Sequence, residues 1–236
     1  FYMDGHVIKS SGKTRLGPYP KTIKSLPLIF VGTVYSEVPD DGYTLAGLAE
    51  DIHLMIENLN LPPTVVIGHS MGGMVAQQLA ITHPNDVSAL GLIATVASDP
   101  KHELVSARIE AQTPEIGYLD ALTRPFPTWF SENATSGMRE WSRAQMTKTP
   151  ERVALAMTKD YKNLDFREEL PKLRIPTLVV GASFDYSTTV TRSEEIANLI
   201  PNANLVVIPN SGHFVQLEQP AKISQIISTF IREFSL

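Results

Sequence analysis

The sequence predicts an α/β fold, a mostly parallel sheet flanked by helices with a helical insertion. Three observations carry that expectation. Short β-branched runs alternate with amphipathic helical stretches from residue 43 onward, the pattern of strands joined by right-handed helical crossovers. Residues 89–95 are apolar almost throughout, as a parallel strand covered on both faces should be. The run Thr64-Val65-Val66-Ile67 enters Gly68-His69-Ser70-Met71-Gly72-Gly73 and leaves as a helix. A G-x-S-x-G pentapeptide in that setting is a nucleophile elbow: the chain turns sharply and holds the serine hydroxyl above the sheet.

The elements follow in order. Leu45, Leu48, Ile52, Met55, Ile56 and Leu59 recur at helical spacing, and Thr44 is the expected N-cap. Pro62 and Pro63 end that helix, residues 64–67 form a strand, and residues 71–83 form a helix stopped by Pro84. Residues 89–95, 176–180 and 204–208 read as three further strands, with a helix over 193–199. Ile223, Ile226, Ile227, Phe230, Ile231 and Phe234 give the last helix an apolar face.

One stretch breaks the alternation. Residues 98–173 carry no convincing strand but several helical runs, with Pro114, Pro125, Pro127 and Pro150 as breaks. The expected division is a core of residues 1–97 and 174–236 with a helical lid at 98–173. An insertion after a strand's carboxyl end lies over the crevice where ligands bind in open α/β sheets. Its aromatic residues Phe126, Trp129 and Phe130 either line an apolar substrate pocket or form the lid's own core.

Composition narrows the function. The chain of 236 residues is 43% hydrophobic and 19% charged, enough for one substantial core and too apolar for disorder. A formal charge of −5 gives no footprint for nucleic acid. No apolar run reaches the 18 or so residues of a membrane span. Without cysteine there is no disulfide, zinc–thiolate site or thiol nucleophile. No H-E-x-x-H or phosphate-cradling glycine loop stands out and the histidines are scattered, so neither a metal nor a cofactor is expected. No signal peptide is recognised, the cytosol is the expected compartment, and the Asn133-Ala134-Thr135 sequon is read as incidental. Oligomeric state is not legible.

A serine needs a base, and the base an orienting acid. In this fold they follow in the chain order Ser, Asp or Glu, His. Asp185, in the loop after the strand at 176–180, is the candidate acid, and Asp99 is the alternative. His213, in Asn210-Ser211-Gly212-His213-Phe214 after the strand at 204–208, is the candidate base. The interval between them accommodates one helix, one strand and two short loops. Among the six histidines, His53 is expected to be solvated, His83 to suit a helix C-terminus, and His69 to point away from Ser70.

The chain resembles the α/β-hydrolase superfamily. The resemblance rests on Gly68-His69-Ser70-Met71-Gly72-Gly73, on Ser211-Gly212-His213-Phe214 with Leu217-Glu218-Gln219-Pro220, and on Gly42-Tyr43-Thr44-Leu45 before Glu50-Asp51. It covers residues 36–236. In lid length and in Pro127-Thr128-Trp129-Phe130 it is most similar to the 3-oxoadipate enol-lactonase and small-esterase branch. The resemblance implies an α/β-hydrolase fold and attack by Ser70 on the carbonyl of a small-molecule ester or lactone. It also implies an acyl-enzyme, an oxyanion hole that includes the Met71 N–H, and release by water activated by His213. Trp129, Phe130 and Phe214 are the expected pocket residues. A serine nucleophile sets the chain apart from the aspartate-dependent dehalogenases and epoxide hydrolases of the superfamily.

Two further readings stay open: a C–C bond hydrolase using the same triad, and a small-ligand binder with little or no turnover. The latter draws on the first 35 residues, which hold too little chain for the family's leading strands. Only residues 28–31 read as a strand there, and Lys9, Lys13, Arg15, Lys21 and Lys24 match no family element. A truncated or altered N-terminus is therefore expected, leaving the second oxyanion donor unassigned. Gly32 is one candidate.

Overall fold

The computed structural model describes residues 40–99, 102–160 and 164–234. In chain order the first elements are α1 (Leu45–Asn58), β1 (Thr64–His69), α2 (Met71–Thr82) and β2 (Val87–Ile93). The insertion follows, with α3 (His102–Ile116), α4 (Tyr118–Thr123), α5 (Ser136–Met146) and α6 (Glu151–Asp160). The chain closes with β3 (Thr177–Ala182), α7 (Val190–Leu199), β4 (Ala203–Ile208), α8 (Val215–Glu218) and α9 (Pro220–Phe234). The four strands form one sheet in the order β1-β2-β3-β4, and every neighbouring pair is parallel. This is the α/β architecture that the alternation predicts.

The side-chain period of two sorts the strand residues between two cores. Leu90, Leu92 and Val179 pack with the apolar faces of α1, α2 and α7. Ala89, Ile93, Leu178, Val180, Ala182 and Ile208 face the other way, onto Val215, Ile223 and Phe230 of α8 and α9. Covered on both faces, β2 and β3 read as continuous apolar runs for this reason. Thr44 caps α1, its hydroxyl accepting from the Gly47 N–H at 2.9 Å. The second strand begins two residues before its apolar run, at Val87, and ends two residues before the run does, where Ala94 turns to φ 46° and leaves the extended conformation.

The two ends of the insertion meet at its base. Ser98 and Asp165 form an antiparallel bridge, and the Phe166 N–H donates to the Ala97 carbonyl at 2.9 Å. Pro114 does not end its helix as predicted. It lies inside α3, within the final turn, where only the carbonyl one turn back loses a partner. Gly117, at φ 81°, turns the chain into α4.

The predicted strand at 28–31, the basic residues before it and Gly32 lie outside the described residues. Among the described residues, no helix is long and apolar enough to cross a membrane.

Candidate active site

Ser70 joins β1 to α2 at φ 53°, ψ −121°, a conformation that residues with side chains rarely adopt. Its surroundings hold it there. The Ser70 N–H donates to the Ile93 carbonyl at 2.9 Å, and the Ser70 carbonyl accepts from Gly73 N–H at 2.9 Å and from the Thr95 hydroxyl at 2.8 Å. A Cβ on Gly68 would sit 2.1 Å from the Gly72 carbonyl oxygen, so the turn closes only on glycine. A Cβ on Gly73 would sit 2.6 Å from that of Thr95. This second close approach, between α2 and the segment after β2, is visible only once the chain is folded.

The loop after β3 carries Asp185 and the loop after β4 carries His213, so both reach the sheet edge where Ser70 stands. His213 Nε2 lies 2.9 Å from Ser70 Oγ, and His213 Nδ1 lies 2.8 Å from Asp185 Oδ2. With Nδ1–H donating to the carboxylate, Nε2 is left to accept the serine proton. Asp185 also accepts from the Ser187 and Thr188 N–H groups, each at 2.8 Å, and from the Thr188 hydroxyl at 2.6 Å. Both Asp185 and His213 are buried, at 3% and 5% exposure. Burial pushes the Asp185 carboxyl up, but the hydrogen bond and charge of His213 and the bonds from Thr188 outweigh it and hold the group below its ordinary value. Asp185 thus occupies the place beside His213 for which Asp99 was the alternative. Met71 contributes the first amide of α2, whose opening turn leaves N–H groups outside the helical ladder.

His69 does more than point away. Its Nε2 lies 2.7 Å from the His213 carbonyl oxygen, as donor to acceptor, and the two rings are 4.9 Å apart. Burial, helped by the charge of His213, pushes the His69 imidazole down to about 4, which keeps it neutral and able to donate. On its other side the His213 N–H donates to the Trp129 carbonyl at 2.7 Å. Neither bond has a local sequence signal.

Four rings form a cluster that borders His213 through Trp129 and Phe214. Trp129 and Phe214 are half-buried, with ring centroids 5.9 and 5.6 Å from that of His213. Phe130 is buried and stacks on Phe214 at 4.9 Å, and Phe126 meets Phe130 edge-on at 5.0 Å. Arg139 lies over the outer part of this cluster, its guanidinium 4.9 Å from the Phe130 ring.

Two histidines expected to be unconnected come together elsewhere. His53 is half-buried rather than solvated: it stacks on His83 at 3.8 Å and lies 2.6 Å from the Asp86 carboxylate through Nδ1. His83 Nε2 bonds Glu50 at 3.1 Å. Packing of α1 on α2 brings them together, which spacing alone does not reveal. Glu50, His53 and His83 each offer a ligand atom within 4.8 Å of the others. A cation there would have to compete with hydrogen bonds already made.

The sequence pattern of one family, described as Alpha/beta hydrolase family, matches residues 27–226. The chain is 27% identical over 192 residues to 3-oxoadipate enol-lactonase 1 of Acinetobacter baylyi, covering 80% of this chain and 71% of that protein. It is 24% identical over 207 residues to a putative carbamate hydrolase of Rhizobium rhizogenes, covering 85% and 79% respectively. Among solved structures, a thermophilic esterase from Thermogutta terrifontis superimposes with a TM-score of 0.80 at 26% identity, over 88% of this chain and 79% of that one.

Proposed function

The chain belongs to the alpha/beta hydrolase family, and from that premise we propose that it is a cofactor-independent serine hydrolase of small carboxylic esters or lactones. The observation that carries this reading is the continuous Ser70–His213–Asp185 hydrogen-bonded chain, with links of 2.9 and 2.8 Å. In the proposed cycle His213 Nε2 takes the Ser70 proton as Oγ attacks the carbonyl carbon. The negative charge that develops on the carbonyl oxygen is met by the Met71 N–H. His213 then returns the proton to the leaving alkoxide, which departs as an alcohol, or in a lactone as the hydroxyl end of the opened ring. Water, deprotonated by the same nitrogen, adds to the acyl-enzyme, and Ser70 leaves with its proton restored.

The choice of ester or lactone over other carbonyl compounds is supported by two relatives, the enol-lactonase and the thermophilic esterase. Trp129, Phe130 and Phe214 are proposed as the apolar wall of the substrate pocket, and the helical insertion as the lid that brings Trp129 and Phe130 there. Turnover of a panel of p-nitrophenyl esters and simple lactones tests the reading, with Ser70→Ala as the reference. Hydrolysis that Ser70→Ala abolishes is expected. Cleavage of a diketone C–C bond in preference to every ester and lactone would favour the alternative use of the same three residues.

A further inference from the structure

We infer that Glu218 is a positioning residue for His213, fastening the loop that carries the base to residues 129–131 of the helical insertion. This role rests on the reading of Ser70, His213 and Asp185 as the catalytic set. Glu218 ends α8, and its carboxylate turns back toward the His213 loop. Oε1 accepts from the Gly212 N–H at 3.0 Å. Oε2 accepts from the Ser131 N–H at 3.1 Å and from the Ser131 hydroxyl at 2.5 Å. Three donors from two distant segments therefore converge on one side chain.

The two backbones that it joins are in contact. A Cβ on Gly212 would lie 2.5 Å from the Trp129 carbonyl oxygen and 2.8 Å from both Phe130 Cα and Ser131 N. The next residue, His213, donates its own N–H to that Trp129 carbonyl at 2.7 Å. Ser131 is 2% exposed and Gly212 is buried, whereas Glu218 is half-buried, so water replaces a lost acceptor only by entering from the Glu218 side, without holding the two segments together. Without Glu218, the amides of Gly212 and Ser131 lose the acceptor they share, and each segment relaxes toward solvent to regain one. The distance that responds is His213 Nε2 to Ser70 Oγ, one residue along the chain.

Glu218 is not needed to hold its own helix. The Leu217 and Glu218 N–H groups bond the Phe214 carbonyl, the Gln219 N–H bonds that of Val215, and Val215 is fully buried in the second core. Glutamine retains one acceptor oxygen but replaces the other with a donor, which faces donors already present. It is therefore an intermediate lesion, and alanine is the complete one.

Two readouts taken together test the role: amide hydrogen exchange over residues 129–133 and 210–216, and the rate at which a fluorophosphonate labels Ser70. Glu218→Ala is expected to speed exchange in both segments while exchange in α9 stays as in the parent. Labelling should slow by about 10- to 100-fold, the scale of a misplaced catalytic group. With a hydrolysed ester, kcat should fall while KM changes little, and Glu218→Gln should lie between the parent and Glu218→Ala. If Glu218→Ala does not fold, Glu218→Gln carries the same test with a smaller effect. Unchanged exchange overturns the inference, as does faster exchange with labelling at the parental rate. A parent protein that does not label removes the catalytic reading and this role with it, and the exchange data then show whether Glu218 still anchors the loop.

Discussion

Two histidine pairs in this molecule share a residue type and differ in almost everything else. At the sheet edge His69 and His213 lie 4.9 Å apart with tilted rings. His69 is half-buried and pushed down to about 4, and His213 stands between a serine hydroxyl and a buried carboxylate. Between α1 and α2, His53 and His83 are stacked at 3.8 Å. There the Asp86 hydrogen bond, with added charge from Asp86, Glu57 and Glu50, pushes His53 up. The contrast teaches that proximity of imidazoles says little about their chemistry. The first pair has one acid, one hydroxyl and little water, which suits proton transfer. The second has an excess of carboxylates and access to solvent, which suits a charged contact between helices.

Substitutions of the serine and the carboxylate that flank His213 in the first pair should have the largest effects. Ser70→Ala is expected to lower ester hydrolysis by about 10⁴-fold or more, read as kcat/KM against the parent. Asp185→Asn should cost about 10⁴-fold in kcat with the fold intact, because Nδ1 then loses its carboxylate and the ring favours the wrong tautomer. The same carboxyl carries a pH signature. Its folded value lies below the ordinary one, so its contribution to stability is present above about pH 3.9 and is lost as pH falls through the folded value. Acid unfolding of Asp185→Asn should therefore be less steep below about pH 4 than that of the parent.

His69→Phe keeps a ring but removes the donor to the His213 carbonyl. The expected loss is about tenfold in kcat, together with about 1–3 kcal/mol of stability from the unsatisfied buried acceptor, measured by denaturant unfolding. Because His69 is pushed down, the unfolded chain takes up its proton first as pH falls. Stability from this residue is full above about pH 6.5 and declines toward about pH 4. In His69→Phe that part of the decline should vanish.

The second pair should give the smallest effect and the opposite sign. His53 is pushed up, so its contact with Asp86 stabilises below about pH 6.5 and is lost as pH rises through the raised value. Asp86→Asn is expected to cost no more than about 1 kcal/mol, visible at pH 5.5 and absent at pH 9, with kcat unchanged. A change in kcat on substituting Asp86 would break the separation between the two pairs.

How much of this was legible depended on whether a feature is local. The strand runs, the Thr44 cap and the glycine demanded at Gly68 depend on a few neighbouring residues, and they read directly. So did the three loops that place Ser70, Asp185 and His213 on one sheet edge, since parallel topology sends every strand's carboxyl end the same way. Contacts across the fold did not read. The bond from His69 to the His213 carbonyl, the two bonds from Ser131 to Glu218 and the stacking of His53 on His83 join residues far apart in the chain. Pro114 misled because a proline near a helix C-terminus disturbs one carbonyl rather than ending the helix. Within the aromatic cluster Phe130 is buried against its neighbours, whereas Trp129 and Phe214 border His213, a division that follows from contacts across the fold.

The most direct measurement is mass spectrometry of the protein after exposure to a fluorophosphonate, with the label mapped by peptide. An activated nucleophile should give one adduct on the peptide that carries Ser70, and none in Ser70→Ala or His213→Ala. A folded parent that stays unlabelled, or a label that survives His213→Ala unchanged, would contradict a serine activated by His213.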